Sequence, residues 1–148
     1  MSNKNPVIVW FRRDLRLSDN PALDEARQSD KPLILLYILE EGAGRELGGA
    51  KRVWLHHSLT SLSKDIADKG GQLILRQGHA AKILDALIEQ TGADEIHWNR
   101  RYEKDARDVD EAIKSDLKSR DLTVESHNGN LLSEPWEVET KSGGYYKV

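Results

Sequence analysis

The sequence predicts an α/β protein built on a doubly wound, five-stranded parallel sheet with helices on both faces. Three observations carry that expectation. Short runs rich in Val, Ile and Leu alternate strictly with longer segments whose apolar residues recur at helical spacing. The resulting order, βαβαβαβαβ, is the one that parallel strands joined by helical crossovers produce. Glycines close two of the helical segments, and an Asn-Pro pair opens another.

Residues 6–10 are a short apolar, β-branched run and read as the first strand. Asn20 and Pro21 form an N-cap and first-turn pair for a helix over 21–28 that carries Ala22, Leu23 and Ala26, with 11–18 as the intervening loop. The second strand spans 32–39. A glycine-rich stretch follows, then a helix over 50–69 in which Val53, Leu55, Leu59, Leu62 and Ile66 are expected to share one face. Gly70 and Gly71 stop it. A third strand covers 72–76, and a helix over 80–90 presents Ile83, Leu84, Leu87 and Ile88 before stopping at Gly92. A fourth strand at 95–98, a helix over 103–119 and a fifth strand at 122–126 complete the pattern. The first four strands are apolar enough to be buried on both faces.

Two strand orders suit five such strands, 3-2-1-4-5 and 2-1-3-4-5. In the first, the switch point falls between strands one and four. Its crevice would be lined by residues 10–13 on one side and 99–103 on the other. Residues 1–128 are then one α/β domain. Residues 129–148, with Gly143 and Gly144 and few periodic apolar positions, begin a linker leading out of it.

Composition excludes several functions. The 148 residues hold 22 basic and 25 acidic side chains, a net charge of -3, with no sustained basic stripe. Tight nucleic-acid binding by this chain alone is therefore not expected, because phosphate neutralisation needs a clustered positive face. Without cysteine there is no disulfide and no thiolate chemistry, which fits a reducing cytoplasm. No stretch approaches the roughly 18 apolar residues of a membrane helix, and the first residues lack the apolar core of a signal peptide.

Several local patterns carry two readings. Arg12, Arg13 and Arg16 beside Asp14 and Asp19 suit a phosphate or chromophore site, or an ion-pair lattice that holds the loop; the planar guanidinium fork favours the lattice. Glu103 and Asp105 either complement the positive end of the fourth helix or accept hydrogen bonds from a ligand in the crevice. The stretch from Gly42 to Gly49 fails as a phosphate cradle, since Ala50 intervenes before Lys51 and no Ser or Thr follows. It reads as a flexible connection or a lid, with Arg52 just beyond it able to reach the crevice. His56 and His57 point about 100° apart on a helix and cannot easily share a metal, and His79 and His97 read as loop and sheet residues. No metal is expected.

Four segments, in this order, resemble the DNA photolyase and cryptochrome family. They are Trp10-Phe-Arg-Arg-Asp-Leu-Arg-Leu-Ser-Asp-Asn-Pro-Ala-Leu23, Gly49-Ala-Lys-Arg-Val-Trp-Leu-His-His-Ser-Leu59, Trp98-Asn-Arg-Arg-Tyr-Glu103 with Arg107 and Asp108, and Gly144-Tyr-Tyr-Lys-Val148. Within the family the pattern looks like the antenna-bearing amino-terminal domain of a bacterial class I type photolyase, with a cryptochrome as the close competitor. The resemblance implies a parent enzyme, a carbon-carbon lyase, that reverses cyclobutane pyrimidine dimers in DNA. Reduced FAD, excited directly or from an antenna pigment, gives an electron to the dimer, which splits and returns it. FAD, its electron-passing tryptophans and the groove for damaged DNA would belong to a helical domain beyond Tyr-Lys-Val that this sequence does not contain. By itself the chain is expected to repair nothing, and its ending in mid-motif points to an engineered truncation.

The resemblance further implies an antenna pigment: methenyltetrahydrofolate, an 8-hydroxy-deazaflavin, or a flavin such as FMN. Pigments of the deazaflavin and flavin type would lie near the carboxyl ends of the strands, and the folate in a shallow cleft between domains. Some members carry an Asn-Glu pair at the folate site, where this chain has Asp105 and Ala106, and an alanine cannot make the glutamate's polar contact. The pigment-binding candidates are Trp10, Arg12, Arg52, Asn99, Tyr102, Glu103, Asp105 and Arg107. Trp10 and Trp54 are expected in the core or the crevice wall. Trp136, Tyr145 and Tyr146 are expected on apolar surface left bare by the missing domain, driving weak self-association. A cryptochrome photosensory module and a free-standing nucleotide-binding domain are the alternatives; the latter should have a glycine-rich phosphate loop at a helix N-terminus, which is missing.

Overall fold

The computed structural model describes residues 4–42, 47–138, 140 and 143. The elements run β1 (Val7–Phe11), α1 (Pro21–Gln28), β2 (Leu33–Glu40), α2 (Gly49–Ala67), β3 (Leu73–Gly78), α3 (Ala80–Thr91), β4 (Glu95–Asn99), α4 (Lys104–Ser119) and β5 (Thr123–His127). All strand pairs are parallel, in the order β3-β2-β1-β4-β5. This is the first of the two expected orders, with the switch point between β1 and β4.

Period-two alternation sorts the side chains of β1 onto two cores. Val7, Val9 and Phe11 pack with Leu23 and Ala26 of α1 and with Leu62 and Ile66 of α2. Ile8 and Trp10 pack on the other face with Leu84 and Leu87 of α3 and with Ile113 and Leu117 of α4. The layers are therefore α1 and α2 on one side of the sheet, α3 and α4 on the other. Asn20 caps α1, its side chain accepting from the Leu23 N–H, with Pro21 in the first turn. Gly92 ends α3 at φ +69°, where its N–H bonds the Ile88 carbonyl.

Two expectations fail. β3 is an edge strand, so one side of its backbone and half of its side chains meet solvent, and Leu75 is 50% exposed. The helix layers cover a sheet least completely at its edge, and only the strand order reveals which strand lies there. Val53 is also exposed, at 59%. It precedes Leu55 by two residues, about 200° of helical rotation, whereas Leu55, Leu59, Leu62 and Ile66 repeat at four, three and four and hold the buried stripe.

Beyond β5 the described segment is neither strand nor helix up to Val138, yet it is held down. Arg16 Nη2 donates to the Gly129 carbonyl at 3.0 Å, and Tyr102 Oη donates to Glu134 Oε2 at 2.9 Å. Arg100 pairs with the same Glu134, whose side chain is buried. Trp136 is 60% exposed. Tyr145, Tyr146 and the Tyr-Lys-Val motif lie outside the described residues.

Candidate ligand cleft at the carboxyl ends of the strands

Arg12, the residue after β1, turns inward and is only 6% exposed. Its Nη1 and Nη2 donate to Asp110 Oδ1 and Oδ2 of α4, both at 3.0 Å, and Nη2 also meets the Asn99 carbonyl. The guanidinium lies over Trp10, 4.4 Å from the ring centroid, and over Trp98 at 5.5 Å. Burial pushes the Arg12 pKa down, with Asp110 opposing. Arg101 joins Asp110 to Glu40 at the end of β2. Burial works against its charge as well, but the two carboxylates prevail and its pKa is raised. The chain Arg12–Asp110–Arg101–Glu40 thus ties the ends of β1, β2 and β4 to α4, and its geometry is bidentate and largely dry.

A second buried cluster lies beside it. Asn99 Nδ2 donates to Asp14 Oδ2 and to Asn20 Oδ1, while Asn99 Oδ1 accepts the Ala22 N–H at 3.1 Å. The last residue of β4 is therefore bonded to the loop after β1 and to the first turn of α1. Of the three loop arginines, Arg12 is locked in the lattice, Arg13 pairs with Glu103 at the surface, and Arg16 reaches the Asp19 and Gly129 carbonyls.

Above this floor opens a cleft of about 750 Å³. The ends of β2 and β3 supply Tyr37, Leu39, Glu40, Glu41 and Gln77; α2 supplies Lys51, Arg52, Trp54, Leu55 and Ser58; the loop after β1 supplies Arg12, Arg13 and Arg16. Lys51, Trp54, Leu55 and Ser58 share a helix face by their spacing of three and four. Trp54, 77% exposed, stands on that face. Arg52 is steadied by its Nε–H donating to the Leu47 carbonyl at 3.0 Å. Burial raises the Tyr37 pKa, so its phenol stays neutral and can donate or accept.

The crevice expected between β1 and β4 is present but smaller, about 240 Å³, lined by Arg12, Arg13, Asn99, Tyr102, Glu103, Gly129 and Leu131. The Asn99 and Arg12 networks fill its floor, and residues 129–131 close over it. The candidates divide accordingly. Arg52 and Arg12 line the large cleft; Arg12, Asn99, Tyr102 and Glu103 surround the small one. Trp10 is fully buried beneath both, in edge contact with Trp98 at 5.6 Å between ring centroids. Asp105 and Arg107 are exposed on α4 and line neither. Glu103 occupies the N-cap position of α4 without a side-chain cap bond, being drawn to Arg13 instead. The sequence reading missed Lys51, Glu40 and Glu41, and it placed Arg101 on the crevice wall without its bridge from Asp110 to Glu40. The i, i+3, i+4, i+7 spacing from Lys51 was the signal available for that helix face. No group of metal-ligating side chains occurs among the described residues.

Comparison with known proteins decides the family. The family model described as DNA photolyase matches residues 7–148. The chain belongs to the DNA photolyase family. As a family member it is 52% identical over 143 residues to the deoxyribodipyrimidine photo-lyase of Agrobacterium fabrum, covering 97% of this chain and 30% of that protein. The crystal structure of a bacterial class III photolyase from Agrobacterium tumefaciens matches with a TM-score of 0.92 at 52% identity, covering 97% of this chain and 30% of that one. Cryptochrome-2 of Arabidopsis thaliana is 37% identical over 146 residues, which are 97% of this chain and 24% of that protein. This photolyase-family chain thus spans less than a third of the length of these relatives. The solved relative is a class III photolyase, where the motifs alone suggested a class I type.

Proposed function

We propose that this chain is the amino-terminal light-harvesting domain of a deoxyribodipyrimidine photolyase and that the large cleft holds its antenna pigment. The cleft carries the reading. Its volume of about 750 Å³ lies within the range of small-molecule sites, and its lining combines aromatic and aliphatic side chains with basic ones from the loop after β1 and from α2. A planar heteroaromatic ring fits against Trp54, Leu55 and Leu39, and an acidic tail fits beside Lys51 and Arg52. A bound pigment would supply light absorption; the protein's part is to seat it, keep it from water and fix its orientation. FMN, with its phosphate, and methenyltetrahydrofolate, with its glutamyl tail, have both parts, and a deazaflavin supplies the ring with a polyol chain.

The parent protein would repair cyclobutane pyrimidine dimers through a further domain carrying FAD and the groove for damaged DNA, and this chain alone would repair none. A chain without cysteine suits a reducing cytoplasm, and no helix among the described residues is long and apolar enough to cross a membrane. The likeness to Cryptochrome-2 favours one second reading, the same pigment domain in a photosensory protein. Dimer repair by the whole parent, present or absent, separates the two.

Absorption titration of the purified chain with each of the three pigments tests the cleft. The expected result is a saturable band shift with at least one, weakened about three- to tenfold in Trp54→Ala by loss of aromatic contact. No shift with any pigment overturns an antenna site formed within this chain.

A further inference from the structure

We infer that Arg16 is a latch shared between the large cleft and the segment that leaves the domain, so that an anionic ligand in the cleft loosens that segment. The inference rests on the cleft being a ligand site and adds how its occupancy is sensed. Arg16 lines the large cleft, yet its Nη2–H bonds the carbonyl of Gly129, a residue that lines the small one. It is the bridge between a solvent-facing site and the start of the outgoing chain.

The other holds on that segment lie further along or are local. Arg100 and Tyr102 hold Glu134, and Asn128 Oδ1 accepts from the N–H groups of Asn130 at 3.2 Å and Leu131 at 2.9 Å. Between them Gly129 is fastened by Arg16 and by its contact with Asn99. Arg16 spends its guanidinium mainly on neutral carbonyls, those of Asp19 and Gly129; the Asp19 carboxylate stands off at 3.9 Å, with its side chain 94% exposed. A charge-assisted hydrogen bond is roughly twice as strong as one to a neutral carbonyl. A phosphate or carboxylate entering the cleft within reach of Arg16 therefore wins the guanidinium from Gly129. Arg12 and Arg101 cannot respond in the same way, because Asp110 and Glu40 already hold them in dry ion pairs.

Coupling is reciprocal. Whatever docks on and steadies residues 129–134 strengthens the Arg16–Gly129 bond and weakens binding of an anionic ligand. A neutral ligand of the same shape feels no such effect. The cleft would report its occupancy through the segment that follows β5.

Amide hydrogen exchange at Asn130 and Leu131, followed by NMR on the full chain, tests this. In Arg16→Met without ligand, exchange should quicken about fivefold, the worth of one hydrogen bond. FMN should quicken it similarly in the native chain and add nothing in Arg16→Met; riboflavin, which lacks the phosphate, should leave it unchanged. Unaltered exchange in Arg16→Met shows that no latch exists and overturns the inference. FMN that binds by absorption yet leaves exchange unchanged overturns the coupling. FMN that shows no binding counts against the FMN reading of the cleft, and inorganic phosphate then takes its place as the anion, with an unchanged exchange rate overturning the coupling.

Discussion

Asn99 and Gly129 meet so closely that a side chain at 129 has no room: a Cβ built there would lie 2.6 Å from Asn99 Cγ and 2.7 Å from its Cβ. Asn99 cannot step aside, because its amide is bonded to Asp14, Asn20 and the Ala22 N–H. Gly129→Ala should therefore cost about 1–3 kcal/mol by overpacking. Urea denaturation checks it, and an unchanged midpoint would show that the segment can lift without cost.

Asp110 is the hub of the buried lattice, receiving both Arg12 and Arg101. Asp110→Ala should destabilise the fold by about 3–5 kcal/mol, because the Arg12 guanidinium loses the carboxylate that holds both of its Nη atoms while remaining buried. Thermal unfolding checks it. A loss below about 1 kcal/mol would mean that the guanidinium finds water or another partner.

Much of this was legible in the sequence. β1, the Asn20 cap and α1 follow from local pattern, and the strict alternation gave the class of sheet. What was not legible depends on contacts between distant residues. Asp110 stands 98 positions from Arg12, and in the sequence it is one acid among several on an exposed-looking helix. The edge position of β3 follows from strand order, which composition left open between two choices. The switch-point crevice was placed correctly, but its size depends on how far Asn99 and Arg12 fill it. The larger cleft needed α2 to be seen against the ends of β2 and β3.

Acid should weaken the fold in two stages. Burial and neighbouring His97 push the His127 pKa below its ordinary value. Below about pH 6.5 the unfolded chain then takes up a proton that the folded chain refuses, and stability falls until the folded pKa is passed. Burial raises Asp94 and Glu95, but the bonds from Lys31 and Asn5 to Asp94, and from His97 and Lys31 to Glu95, outweigh it and leave both pKa values lowered. Their contribution is present above about pH 4 and lost as the pH falls through the folded values. Urea midpoints from pH 8 to 3 should show both losses, and His127→Gln should remove the first.

Leu132, Trp136 and Val138 stand exposed on the segment after β5, although Glu134 between them is buried. An apolar run presented in this way favours weak association between copies of the chain. Sedimentation velocity should show a concentration-dependent rise in sedimentation coefficient, reduced in Trp136→Ser. A strict monomer at high concentration would place the cause of any association elsewhere.

Amide chemical-shift mapping on addition of deazaflavin, methenyltetrahydrofolate or FMN would locate the pigment directly. Shifts should concentrate at Tyr37, Leu39, Lys51, Arg52, Trp54 and Leu55, with a weaker response at Gly129 if the ligand is anionic. Shifts confined to Tyr102, Glu103 and Leu131 would place the pigment in the small crevice, and none at all would contradict a light-harvesting cleft in this domain.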